Sequence, residues 1–177
     1  MAGFSYRGQI SGAQDPILEN LIITDDETIT VGDAVDMQAG FVQAAAANER
    51  IYGIVVGVVD KNGIDLSNQH VSQTGTWTDS SQCFVAAADN STVDMVKAVV
   101  CPDPFALWYN DTSGTLTTAM LKLFFSLTTA AQVDQGTSNA TVGEMQLWKL
   151  NPDEDDDASK GLFHITSWQG ESFEPEA

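Results

Sequence analysis

The chain has 177 residues, 43% of them hydrophobic and only 18% charged, which suffices for the core of one globular domain. Its charge is lopsided: 25 Asp and Glu stand against 7 Lys and Arg, for a formal net charge of -18. That balance excludes nucleic acid as a direct partner, because phosphate binding needs clustered cations, and it disfavours anionic membrane surfaces.

The basic residues Arg7, Arg50, Lys61, Lys97, Lys122, Lys149 and Lys160 are scattered singly, so the sequence displays no basic patch. Much of the remaining polarity is Thr, Ser, Asn and Gln, which suits exposed strand faces better than exposed helix faces. Like charge keeps copies soluble and apart until a specific surface captures them. Cys83 and Cys101 are too few for a disulfide scaffold and lack metal-ligand spacing. They are expected to be small buried apolar residues of a protein made in a reducing cytoplasm. The first residues lack a signal-peptide pattern, and no run reaches the roughly 20 apolar residues of a spanning helix. Sequons at Asn90, Asn110 and Asn139 are expected by chance in so Thr- and Ser-rich a chain.

In chain order, residues 1–19 carry Gly3, Gly8, Gly12 and Pro16 with little periodicity and read as an extended N-terminal arm. Its spaced apolar residues Phe4, Tyr6 and Ile10 suit docking on a neighbouring surface, the plainer alternative being a frayed terminus. Residues 20–170 read as a single β domain. Leu21–Thr24, Thr28–Val31 and Ala34–Met37 are three short strands parted by Asp25-Asp26-Glu27 and Gly32-Asp33. The Ala-rich stretch 43–48 is too short for a helix of its own and reads as one turn or a connection. Ile51–Val59 is β-branched and apolar on both faces, the mark of a central strand. Gly53 and Gly57 within it imply close backbone approach or a bulge. Asp60-Lys61-Asn62-Gly63 is a hairpin signal.

Residues 66–82 read as a polar loop or weak strand, and Cys83–Ala86 with Val93–Val100 as a pair around the Asp89-Asn90-Ser91 turn. Phe105–Tyr109 is an aromatic strand and Leu121–Leu127 an apolar one. Glu144–Leu150 and Leu162–Thr166 form a last pair, with Phe163 and Ile165 sharing a face, around the acidic loop 151–157. Residues 171–177 read as a tail. Eight to ten short strands between Gly, Asn, Asp and Pro turns predict an all-β fold, a small barrel or a tulip- or sandwich-like domain.

Nothing in the sequence has the spacing of catalysis. His70 sits in a polar loop and His164 between Phe163 and Ile165 on the opposite face, neither within a recognisable motif. Most carboxylates fall in turns, where solvation places them. Asp153, Asp155 and Asp157 alternate like the opening of a calcium loop, but the sixth and twelfth positions are Ala158 and His164 rather than Gly and Glu. No enzyme, cofactor or metal site is therefore expected. Of the four tryptophans, Trp77 in its polar loop and Trp168 near the C-terminus are expected to be exposed and join Phe4, Tyr6 and Ile10 as interface candidates.

Three segments resemble the capsid decoration (cement) and related head structural proteins of tailed bacteriophages. They are TITVGDAVDMQAGFVQAAAANERIYGIVVGVVDKNGI, AADNSTVDMVKAVVCPDP and GEMQLWKLNPDEDDDASKGLFHI. The resemblance implies a small β-barrel or β-tulip domain, often trimeric, on the outside of an icosahedral head. It also implies the major capsid protein and further copies of the chain as partners, a virion location, and no catalytic residues. The rival readings are another virion component (coat, tail or fibre) and a carbohydrate-binding β-sandwich.

Overall fold

A computed structural model describes residues 3–10, 15–47, 49–67, 74–140, 142–150 and 158–166. His70, the acidic loop 151–157, Trp168 and the tail 171–177 lie outside them. The chain is all-β. The first half holds β1 (Ser5–Gln9), β2 (Glu19–Ile22), β3 (Thr28–Thr30), β4 (Ala34–Gln38), β5 (Phe41–Ala44), β6 (Gly53–Val59), β7 (Thr76–Thr78) and β8 (Cys83–Val85). The second holds β9 (Lys97–Cys101), β10 (Ala106–Asp111), β11 (Phe124–Phe125), β12 (Leu127–Thr129), β13 (Gln132–Val133), β14 (Met145–Leu150) and β15 (Lys160–Ile165).

These strands form an outer sheet β1-β10-β15-β14-β11, a central sheet β2-β9-β6-β4-β5, a small sheet β3-β8-β7 and a ribbon β12-β13. Two hydrophobic cores separate the layers. The first joins Phe4, Trp108, Phe163, Leu147 and Ile165 of the outer layer to Ile54, Ile51 and Cys101 of the central one. The second joins Val55, Val58 and Val100 of the central sheet to Ile29 and Phe84 of the small one. Strand β6 contributes to both, as its unbroken apolar run predicts.

Its glycines have distinct reasons. A Cβ on Gly53 would lie 2.5 Å from the Cys101 carbonyl oxygen, so the backbones approach too closely for any side chain. Gly57 stands at a register shift against β9, the expected bulge. The hairpin after β6 also forms, with Asp60 Oδ1 accepting from the amides of Asn62 and Ile64 at 2.8 Å and Gly63 at φ +83°.

No sheet closes into a barrel. The central sheet curls until its two edges touch: Thr24 donates to the Val42 carbonyl at 2.9 Å beside a parallel bridge from Ile23 to Val42. The edges meet at this single bridge and are not joined by a ladder.

Three expectations need correction. Strand β8 pairs with β3 and β7, while β9 pairs with β2 and β6, so the segments flanking Asn90 lie in different sheets. The link is Asn90 itself, buried, donating to the carbonyls of Ile23 (2.7 Å) and Val96 (3.2 Å) and accepting from the Val96 amide (3.1 Å). Second, the apolar run at 121–127 is broken into β11 and the start of β12. Third, residues 5–9 are not a free arm: β1 pairs with β10, Phe4 is only 5% exposed, and its amide donates to the Gly32 carbonyl at 2.7 Å. Burying Phe4 outweighs the freedom that the glycines would otherwise give this segment.

Asp36, on β4, is buried, with Oδ2 accepting from Gln43 at 3.3 Å and Oδ1 without a partner among the described residues. Burial, reinforced by the nearby Glu49 charge, raises its pKa above the ordinary carboxylate range. Asp33 is raised for the same first cause. A carboxyl that binds its proton more tightly when folded favours folding at low pH. That contribution fades as pH climbs from the ordinary carboxylate value through the raised one. Asp36→Asn is therefore expected to raise the melting temperature at pH 7, with the gain shrinking toward pH 3.5. Thermal scans across that range check it, and a variant equally or less stable at pH 7 would count against it.

Candidate interaction surface

The candidate residues of the N-terminal segment are divided by the fold. Phe4 belongs to the core, and its assignment as a docking residue is corrected. Tyr6 packs edge-on against Trp108 with ring centroids 5.7 Å apart and keeps an exposed rim. Ile10, half-buried, donates its amide to the Phe105 carbonyl at 2.9 Å. Trp77 is also corrected: it stands opposite Phe84 on β7 and packs half-buried on the second core. A large aromatic directly across from a buried Phe gains more by covering it than by facing water.

Tyr6 and Ile10 mark a corner at the β1 edge of the outer sheet. Gln9 Nε2 donates to Asp103 at 2.5 Å, and Asp103 accepts from the Phe105 amide at 2.8 Å, which fixes the chain entering β10. Asp15 and Asp103 lie close enough to Tyr6 to raise its pKa, behind burial as the first cause. Phe105 is 60% exposed, and Ile17 and Leu18, just ahead of β2, are 66% and 51% exposed. The corner is apolar and acidic at once. The sequence reading chose Phe4, Tyr6, Ile10, Trp77 and Trp168 and missed Ile17 and Leu18, although an Ile-Leu pair beside a proline was visible.

The outward face of the outer sheet has the opposite character. Antiparallel partners share a face, so Leu107, His164, Gln146 and Phe124 form one row pointing away from the core, and Tyr109 and Leu162 lie in the next. Arg7 lies 5.0 Å from the Tyr109 ring centroid, and Lys122 Nζ only 3.1 Å from that of Trp148. Lys122 is held: its amide donates to the Leu147 carbonyl at 3.0 Å, and its carbonyl accepts from Gln146 Nε2 at 3.0 Å. Gln146 Oε1 can only accept, so the His164 Nε2 that meets it at 2.9 Å carries the proton. His164 also packs edge-on to Trp148, and burial, the first cause, lowers its pKa and keeps it neutral at pH 7.

The five strands of this sheet carry Arg7, Lys149 and Lys160 against the single carboxylate Asp111, with Lys122 in the turn before β11. These cations are spread from the β1 edge to the β11 edge, with Lys160 opposite Asp111, so they form no basic patch among the described residues. Between Asp15 and Asp103, by contrast, Arg50, Lys61 and Lys97 are the only Lys or Arg residues amid carboxylates in nearly every turn.

A cleft of ≈ 450 Å³ where β1 begins is lined by Ser5, Val55, Val56, Tyr109, Asp111 and Lys160, among others. Tyr109 donates to Asp111 across 3.1 Å there. Among the described residues no three of His, Cys, Asp or Glu are grouped to hold a metal ion, and no helix is long and apolar enough to cross a membrane. Cys83 and Cys101 are free thiols; burial pushes that of Cys101 up to about 11, which makes it a poor nucleophile.

Among the described residues, fold and surface together define an all-β chain with acidic turns and one sheet face on which aromatic rings stand beside scattered Lys and Arg. No family model matches the chain, and no curated protein or solved structure matches it.

Proposed function

We propose that the chain is a structural protein of a tailed-phage virion, a decoration protein that binds the outside of an expanded icosahedral head and ties neighbouring capsomers together. Its partners are the major capsid protein and further copies of itself, as a homotrimer. It touches neither nucleic acid nor membrane directly, and it does no catalysis. We read its stacked open sheets as a sandwich of the β-tulip kind.

The observation that carries this reading is the pairing of an acidic, self-repelling body with a sheet face and corner that expose Phe105, Ile17, Leu18 and Trp148. Exposed apolar clusters of this kind mark surfaces that another molecule covers. A protein that binds only the assembled shell stabilises it by mass action, and many copies make modest contacts count. The three quoted segments add the family resemblance. The rival carbohydrate reading gains nothing from the aromatics: Lys122 covers the Trp148 ring, and Trp77 lies on the core.

Purified chain added to expanded heads that lack it is expected to co-sediment saturably and to raise the temperature at which the heads rupture. Heads that neither bind it nor gain resistance would sink the proposal.

A further inference from the structure

We infer that Asn62 is a site of self-modification: it deamidates through a succinimide, and Asp60 sets the rate by holding the hairpin closed. The inference concerns the covalent chemistry of the chain and does not rest on the shell reading.

The sequence singles the site out. Asn62 is the one asparagine of the chain that a glycine follows. In succinimide formation the amide nitrogen of the next residue bonds to the asparagine Cγ, and a side chain on that residue crowds the attack. Gly63 has none, and the space a Cβ would occupy there is open. Residues 61–65 are exposed, so water and hydroxide reach them. Asn90 and Asn110, by contrast, are fully buried, with their side-chain nitrogens bonded to carbonyls.

The step balances with water alone as co-reactant. The Gly63 nitrogen gives its proton to base and bonds to Asn62 Cγ, and the Cγ–Nδ2 bond breaks to release ammonia. Water then opens the ring at either carbonyl and leaves aspartate or isoaspartate. The chain gains one negative charge.

The closed hairpin holds both reacting groups on one residue. Asn62 Nδ2 donates to Asp60 Oδ2 at 3.2 Å, and the Asn62 amide donates to Oδ1 at 2.8 Å. The Gly63 N–H, which must lose its proton, donates to the Asp60 carbonyl at 3.0 Å. Asp60 is itself fixed: it is only 3% exposed, its Oδ1 also accepts from the Ile64 amide, and its own amide donates to the Ile64 carbonyl at 2.8 Å. These amides, that of Ile64 first, hold its carboxyl below the ordinary range, so it stays an ionised acceptor at neutral pH. Attack on Cγ therefore requires local opening of the hairpin, and each of these bonds makes that opening rarer.

The product cannot restore the closed form. A carboxylate at position 62 lacks the Nδ2 donor and faces Asp60 with like charge. Isoaspartate also lengthens the main chain by one carbon, just before a glycine held at φ +83°.

The test follows Asn62 in the full chain at mildly alkaline pH, by peptide mass mapping and by enzymatic methylation of isoaspartyl carboxyls. Three samples are compared: folded wild type, wild type in guanidinium chloride, and folded Asp60→Ala. Folded wild type is expected to convert at least ~10-fold more slowly than the denatured chain. Asp60→Ala is expected to convert at least ~3-fold faster than folded wild type, with near-UV circular dichroism checking that it folds. Should it not fold, Asp60→Asn keeps the side-chain shape with one accepting oxygen and is likewise expected to convert faster than wild type. Equal rates in folded and denatured wild type, or a folded Asp60 variant no faster than wild type, would overturn the inference. So would an Asn62 that stays intact in the denatured chain.

Discussion

Asn90→Asp is expected to cost about 3–5 kcal/mol, a large part of the stability of a domain this size. The wild-type amide nitrogen points at two carbonyl oxygens, those of Ile23 and Val96, in a site with no exposure. A carboxylate of nearly the same shape would set negative charge against both. Protonated, it could satisfy only one of them while paying to hold its proton at neutral pH. Asn90→Ala removes the repulsion but strands the Val96 amide and the Ile23 carbonyl, while the Val96 carbonyl keeps the Ile23 amide, so it too should lose about 2–4 kcal/mol. Urea unfolding with the slope held constant measures both. A loss below about 1 kcal/mol for the Asp variant would show that the site opens to water. The same buried geometry makes Asn90, and likewise Asn110, inaccessible to glycosylation in the folded chain.

Removing residues 1–9 is expected to destabilise the domain strongly, the reverse of what a detachable arm would do. Phe4 alone fills core volume whose loss typically costs about 3–5 kcal/mol. Deletion would also uncover the flank of Trp108 now covered by Tyr6 and leave β10 from Ala106 to Tyr109 unpaired on the side away from β15. The unfolding midpoint should fall, tryptophan emission should shift to the red, and the shortened chain should aggregate at its new edge. Phe4→Ala separates core filling from strand pairing and should account for most of the loss. A midpoint unchanged by the deletion would restore the arm.

Those two sites also mark where sequence reading stops. Strand β6 was legible because a run of β-branched residues without a polar face has no other home than between two layers, and both cores do meet on it. The β14–β15 pair was legible from the spacing of Phe163 and Ile165. The acidity of the turns and the bulge at Gly57 were legible too. Asn90 was not, since an asparagine between Asp and Ser has the same local signature in a solvated turn and in a buried junction. Nor was the role of Phe4, since a segment rich in glycine reads as loose until its strand partner is known.

The shared sheet of Arg7, Lys122, Lys149 and Lys160 was hidden for a topological reason: they are far apart in the chain, and only the order β1-β10-β15-β14-β11 spreads them over one face. Ile17 and Leu18 went unnoticed because an exposed aliphatic pair differs from a core pair only by what fails to cover it.

That same strand order has a bearing on how the molecule comes into being. β1 must wait for β10, and β10 for β15, the last strand among the described residues. While the ribosome is still at work, Phe4 and Trp108 have no finished layer to enter, and closure of such distant pairings is slow. A nascent chain that has not yet reached β15 would carry a complete central sheet with its oily side bare, so the interval before β15 emerges is the one in which this fold is most exposed to aggregation.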